Sequence, residues 1–183
     1  IGSSQAQVAA YDPNEFPGRG SAMIFDKANS YVREGDALFE QRKFRPALSR
    51  YSSAIELYPY SANSYYKSGL ASFELKDYTT ALLQFKRTVA LAPDFPDGYS
   101  HKGETQFKLK DLKGSEESCR AALDLDPYST LALICLAEVC LDTSRVESAQ
   151  NYLGTANSLP GAEEYRKRIS KNIARANKLL AEK

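Results

Sequence analysis

The chain has 183 residues, enough for one ordinary domain or a short array of repeats with a buried core. Its 24 Lys and Arg residues almost cancel its 23 Asp and Glu residues, leaving a net charge of +1. A protein that binds nucleic acid needs a concentrated basic face, so this balance argues against a nucleic-acid partner. The sequence has no run of about 18 apolar residues, so no transmembrane segment is predicted.

Motifs of catalysis and of metal binding are missing from the sequence. There is no phosphate-binding glycine loop and no nucleophile elbow, so we predict a protein that is not an enzyme. The three cysteines, Cys119, Cys135 and Cys140, lack metal-ligand spacing, and His101 is the only histidine. We therefore expect no metal and no cofactor. An odd number of cysteines without a paired framework predicts reduced thiols, which is typical of a cytoplasmic protein.

Residues 1–27 have no helical period and are rich in glycine, proline and serine up to Gly20. Because the residue before a proline favours extended backbone, the Asp12-Pro13 and Phe16-Pro17 pairs predict a non-helical linker or tail here. Its apolar residues could dock on the first helix. The chain begins with Ile1 rather than Met, so a fragment of a longer, multidomain protein is a further interpretation.

Five positions then recur along the chain at intervals of 34 residues. The three clear copies are Tyr31, Gly35, Ala47, Tyr51 and Pro59; Tyr65, Gly69, Ala81, Phe85 and Pro93; and Tyr99, Gly103, Ser115, Cys119 and Pro127. A fourth, decayed copy has Leu133, Ala137, Ala149 and Leu153. Self-similarity at a fixed period of this length is typical of a stacked-repeat protein.

This order of tyrosine, glycine, alanine, aromatic residue and proline resembles the tetratricopeptide repeat family. The resemblance implies an all-α, right-handed superhelical solenoid of four helix pairs, A and B, at residues 28–61, 62–95, 96–129 and 130–163. Helices A are expected at 28–41, 62–75, 96–109 and 130–142, and helices B at 45–57, 79–91, 113–125 and 146–157. The repeated glycines would remove a side chain where helices A and B approach closely.

The last segment, residues 164–183, is predicted to be a capping helix. One stripe of it is apolar, and six Lys and Arg residues surround that stripe. Two interpretations are open: a cap that covers the last repeat, as repeat arrays require, or a basic amphipathic helix that binds a membrane surface or an acidic partner.

The resemblance implies a non-enzymatic protein–protein interaction module, a scaffold, adaptor or co-chaperone, that binds a peptide segment in a concave groove lined by helices A. The groove positions would be Val32, Asp36, Phe39, Tyr66, Lys67, Leu70, Phe73, Asp97, Ser100, His101, Glu104, Phe107, Lys108, Glu138 and Leu141. Four of these form a ladder with a period of 34 residues: Phe39, Phe73, Phe107 and Leu141. Packing between repeats and contact with a ligand are both open for the ladder.

The best-known members of the family bind the carboxylate-terminated Glu-Glu-Val-Asp tail of heat-shock chaperones with a two-carboxylate clamp of Lys, Asn, Asn, Lys and Arg. The same positions here are Val32, Asp36, Lys67, Asp97 and His101. Two aspartates would repel a carboxylate, so we expect no intact clamp. We expect instead a bound segment with apolar anchors and some Lys or Arg. A histidine in the groove could also make binding sensitive to pH.

The alternative hypothesis is a self-assembling homo-oligomer. In that arrangement the groove would bind the N-terminal segment of a neighbouring copy, with residues 11–17 as the inserted stretch. The sequence does not name the partner.

Overall fold

The computed structural model describes residues 19–160 and 162–182. Within these ranges the chain is helical throughout, with short turns and no strand. The helices are α1 (Arg19–Glu40), α2 (Phe44–Leu57), α3 (Ala62–Glu74), α4 (Tyr78–Leu91), α5 (Pro96–Lys108), α6 (Leu112–Leu125), α7 (Thr130–Asp142), α8 (Val146–Ser158) and α9 (Arg166–Ala181), with a 3₁₀ turn at Ala162–Tyr165 before α9.

The architecture is an all-α repeat solenoid, which confirms the predicted fold class. The helices form consecutive antiparallel pairs, and each pair packs on the next through its second helix. Helices A of neighbouring pairs (α1, α3, α5 and α7) also contact one another, so they form one continuous surface. In the second, third and fourth pairs, the observed helix ends lie within one residue of the predicted ones.

The first helix differs from the expectation. It begins at Arg19, so the predicted non-helical tail is wrong for residues 19–27. The turn-forming residues end at Gly20, and the residues after it are compatible with a helix. Phe25 also packs edge-on against Tyr58, with ring centroids 5.5 Å apart, which gives this extension a contact beyond the repeat itself.

The repeated glycines mark the closest approach of the two helices in a pair. A Cβ atom on Gly35 would lie 2.5 Å from Tyr51 Cε1, and one on Gly69 would lie 2.7 Å from Phe85 Cε1. Both aromatic side chains are almost completely buried. The expected mechanical role of these glycines is therefore confirmed, because any side chain would push the two helices apart.

A left-handed residue ends helix A of every repeat. These residues, with φ between 58° and 66°, are Arg42, Lys76, Lys110 and Ser144. They are spaced 34 residues apart, and none is a glycine. The sequence alone did not reveal this turn, because glycine is the residue that normally signals it.

Candidate functional site

The predicted groove residues lie on α1, α3, α5 and α7, and we call this shared surface the groove. Its two ends differ. The end formed by α5 and α7, with Glu104, Glu138 and Asp142, is the closed half, because α9 covers it. The end formed by α1 and α3, with Asp36, Glu40, Leu70 and Glu74, is the open half.

One arginine of α9 closes the groove. The Arg168 guanidinium donates to both carboxylate oxygens of Glu138, at 2.9 Å from Nε and 2.6 Å from Nη2. Its Nη1 donates to Glu104 Oε1 at 2.5 Å. Asn172, one turn further along α9, donates to Glu138 Oε1 at 3.0 Å. A single side chain of the C-terminal helix therefore joins helices A of the third and fourth repeats.

This contact removes the two glutamates from solvent. Glu104 is 7% exposed and Glu138 is 9% exposed. Arg175 of α9 also donates to Asp142 Oδ1 at 2.8 Å, and Lys110 lies 3.5 Å from the other oxygen of the same carboxylate. The groove carboxylates of the fourth repeat are thus neutralised within the chain.

The protonation equilibria follow from this geometry. Burial by itself would raise the pKa of Glu138, but the hydrogen bonds and charge of Arg168 more than offset burial and hold the pKa below its usual range. Burial would lower the pKa of Arg168, yet its two glutamate partners raise it above the usual value. All three groups are therefore charged at neutral pH and act as a paired unit.

The open half contains a small cavity of about 120 Å³. Its lining residues are Asp36, Phe39, Glu40, Tyr51, Lys67 and Leu70. Asp36 Oδ1 accepts from Tyr51 Oη at 2.7 Å and lies 3.2 Å from Lys67 Nζ. Burial and the Asp36 carboxylate raise the pKa of the Tyr51 hydroxyl, so it remains a donor. Both charged clamp positions of this half are therefore engaged with each other.

An aromatic cluster forms the boundary between the halves. His101 Nδ1 lies 3.0 Å from the Asp97 carbonyl oxygen and 3.3 Å from Tyr66 Oη. The His101 ring also packs against Tyr66 and Phe85, with centroids 5.4 Å and 5.6 Å apart. These contacts fix the orientation of His101 and explain its role here as a packing residue.

Metal and membrane chemistry find no support in the part of the chain that the structure describes. Residues 19–160 and 162–182 contain no cluster of three or more His, Cys, Asp or Glu side chains that could hold a metal ion. No helix in these ranges is both long enough and apolar enough to cross a bilayer.

The profile of the tetratricopeptide repeat family matches residues 32–94 and 77–130, which together cover more than half of the chain. The chain belongs to the tetratricopeptide repeat family. Its fold and family are those of protein–protein interaction modules. No curated protein sequence matches the chain.

Several solved tetratricopeptide repeat structures have the same fold. One, the first such domain of Spaghetti (RPAP3) bound to the HSP90 peptide SRMEEVD, is 24% identical, with a TM-score of 0.64 over 65% of this chain and 94% of that one. TTC0263 from Thermus thermophilus is 18% identical, with a TM-score of 0.72 over 85% and 89%. YrrB, described as having an unusual peptide-binding site, is 16% identical, with a TM-score of 0.65 over 88% and 92%.

The aromatic ladder packs within its own tetratricopeptide repeats. The Phe39 ring meets Phe44 edge-on at 5.1 Å, and Phe73 meets Tyr78 in the same way at 5.2 Å. Leu141 is 3% exposed and belongs to the core. Packing therefore accounts for part of the ladder. The half-buried members, for which both roles remain open, are Phe39, Phe73 and Phe107.

The structure divides the predicted site residues into two groups. Five are buried and unavailable to a partner in this conformation: Val32, Ser100, Glu104, Glu138 and Leu141. The others keep some exposure: Asp36, Phe39, Tyr66, Lys67, Leu70, Phe73, Asp97, His101, Phe107 and Lys108. Residues 11–17, the proposed insert of a neighbouring copy, lie outside the described residues, and self-assembly stays a prediction.

Arg168 is the functional contact that the sequence did not reveal. Its position in a basic stretch suggested a solvent-facing cation on a capping helix. The signal that could have found it is the pair Glu104 and Glu138, two carboxylates at the same repeat position on adjacent helices A. Such a pair needs a cation if it is covered.

Proposed function

We propose that this protein is an adaptor or scaffold that binds one segment of a partner protein in the open half of the groove. The segment would place an apolar side chain against Leu70 and Phe39 and one or more Lys or Arg side chains near the carboxylates of α1 and α3. The observation that carries the proposal is the cover provided by α9, which leaves α1 and α3 as the accessible part of the groove.

The chemistry of the open half supports a basic segment. Leu70 and Phe39 are half-buried and border the cavity, so they offer an apolar contact that does not require repacking. Glu40 borders the same cavity and is exposed. An apolar centre with a charged rim is the usual arrangement of a peptide-binding surface, and it favours a ligand of opposite charge.

A carboxylate-terminated chaperone tail fits this surface poorly. Asp36 and Asp97 occupy two clamp positions, and the cation of Lys67 is already paired with Asp36 at 3.2 Å. An incoming carboxylate would have to break that pair and approach two aspartates. The peptide SRMEEVD, bound by the structural neighbour RPAP3, is therefore proposed not to bind here.

The test compares two identical substitutions at different places. Leu70→Ala removes the apolar contact of the open half, whereas Leu83→Ala removes a leucine on α4 that is 58% exposed and lies away from the cavity. The probes are acetylated and amidated nonapeptides with two leucines and one fixed arginine, together with SRMEEVD, and isothermal titration calorimetry measures the dissociation constants.

We expect the leucine–arginine peptides to bind the wild type and the Leu83→Ala variant equally, and Leu70→Ala about tenfold more weakly. SRMEEVD should show no heat of binding. Equal affinities for the two leucine variants would remove the open half as the binding surface. Tight binding of SRMEEVD would restore the clamp interpretation.

A further inference from the structure

Two carboxylates in the open half occupy the same position in consecutive repeats. Glu40 ends α1 and Glu74 ends α3, and the two residues are 34 positions apart. Both side chains are exposed, and neither forms an ion pair within residues 19–160 and 162–182. Arg42, the nearest cation along the chain to Glu40, lies over the Phe44 ring at 5.5 Å.

The same repeat position binds a guanidinium elsewhere in this molecule. Asp142 is the equivalent of Glu74 two repeats later, and it ends α7 as Glu74 ends α3. Its Oδ1 accepts a hydrogen bond of 2.8 Å from Arg175 Nη2. A carboxylate at the end of helix A is therefore within reach of an arginine that approaches from the groove side.

Neighbouring helices A can share one arginine. Glu104 and Glu138 also occupy one repeat position, one turn earlier along helix A, and they lie on adjacent helices A. Arg168 bonds to both, at 2.5 Å to Glu104 and at 2.6 Å and 2.9 Å to Glu138. The spacing of adjacent helices A in this solenoid thus brings equivalent carboxylates within the span of one planar guanidinium.

The surroundings of Glu40 and Glu74 suit the same group. Phe39 and Phe73 directly precede the two glutamates, and both rings are half-buried at the rim of the groove. A guanidinium stacks on aromatic faces and forms two parallel hydrogen bonds with carboxylates, whereas an ammonium is a strongly hydrated point charge. The rim therefore favours arginine over lysine.

We infer that Glu40 and Glu74 together bind one arginine side chain of the partner segment, in the way that Glu104 and Glu138 bind Arg168. This inference rests on the proposed function, since it specifies which side chain the open half recognises. It identifies the partner as a segment with an arginine next to an apolar anchor.

The experiment uses three nonapeptides that differ at one residue. The fixed position is arginine, lysine or citrulline, and citrulline keeps the shape of arginine without its charge. The intact protein is compared with the double variant Glu40→Gln, Glu74→Gln. The control is Glu56→Gln with Asp124→Asn, which removes the same charge from exposed positions on α2 and α6.

In the wild type and the control variant, the arginine peptide should bind about tenfold more tightly than the citrulline peptide and several-fold more tightly than the lysine peptide. In the Glu40→Gln, Glu74→Gln variant these differences should disappear. Circular dichroism would show that the helices remain intact.

Two results would overturn the inference, and they separate it from the proposed function. If all three peptides bind equally and Leu70→Ala still weakens them, the open half binds apolar segments but does not recognise arginine. If the arginine preference survives in the Glu40→Gln, Glu74→Gln variant, the arginine binds elsewhere. If no peptide binds the wild type, the proposed function and the inference fail together.

Discussion

In the closed half of the groove, Glu104 and Glu138 share the guanidinium of Arg168, whereas in the open half Glu40 and Glu74 face no cation within the described residues. Both halves are made by the same repeat and place carboxylates on helices A. The difference comes from α9, which lies beside α7 and α8 and has no counterpart next to α1. The comparison teaches that one repeat surface can serve as core or as binding surface, depending on what covers it.

Substitution of Arg168 should have the largest effect on this contrast. Arg168→Gln would leave two glutamates buried without their cation, and we expect a loss of about 3–5 kcal/mol in the free energy of unfolding. Urea denaturation followed by circular dichroism measures it. Lys167→Gln, at the exposed neighbouring position, should change stability by less than about 0.5 kcal/mol. A loss below about 1 kcal/mol for Arg168→Gln would show that the closed half does not depend on this contact.

Packing within a helix pair should be similarly tight in the open half. Gly69→Ala would force a Cβ atom to 2.7 Å from Phe85 Cε1, and we expect a loss of about 1–3 kcal/mol. Gly154→Ala on α8 meets no atom within 4 Å and should instead stabilise the protein by up to about 1 kcal/mol, because alanine is the better helix former. The two midpoints in urea should move in opposite directions. A shift in the same direction would contradict the close approach at Gly69.

The stability of the closed half should depend on pH through an ion pair between repeats. Arg145 donates to Glu116 at 2.6 Å and 3.0 Å and, with Arg120, holds the pKa of this carboxyl at about 2, below its ordinary value of 4.5. Because the folded state has the lower pKa, the stabilisation is fully present above pH 4.5 and is lost as the pH falls towards 2.

We therefore expect Glu116→Gln to be about 1 kcal/mol less stable than the wild type at pH 7, a modest value because Arg145 is partly exposed. Urea titrations between pH 7 and pH 2.5 should show this difference shrinking at the acid end. A difference that stays constant with pH would mean that the carboxylate charge contributes nothing.

The turn between helices A and B should respond alike in both halves. Lys76 and Ser144 both adopt left-handed backbone, with φ of 62° and 59°. Glycine adopts this conformation without a steric cost, so Lys76→Gly and Ser144→Gly should each stabilise the protein by about 0.5–1 kcal/mol. Thermal unfolding of the two variants checks this. A gain in one half only would show that the turns are not equivalent.

Much of the fold was predictable because the repeat carries its own register. The glycine and alanine positions placed the close contacts, and the prolines after each pair placed the helix ends, so three helix pairs were predicted to within one residue. The start of α1 was not, because Pro17, Gly18 and Gly20 suggested a loop and the contact of Phe25 with Tyr58 is not local in sequence.

The candidate site was less predictable than the fold. The repeat pattern placed Val32 and Ser100 on the groove side, but Val32 is 6% exposed in the core and Ser100 bonds to Ser129 at 2.9 Å. A periodic pattern specifies which helix face a residue occupies. It does not specify how deeply a neighbouring helix buries that face.

The sequence by itself determined the helix pairs, their period and the contacts that every repeat makes within itself, because these depend on residues a few turns apart that recur together. The tertiary structure alone decided which groove carboxylates are covered. That outcome depends on Arg168 reaching Glu104, 64 residues earlier in the chain. Charge pairing over such a separation follows from the way the helices stack, and local sequence patterns do not encode it.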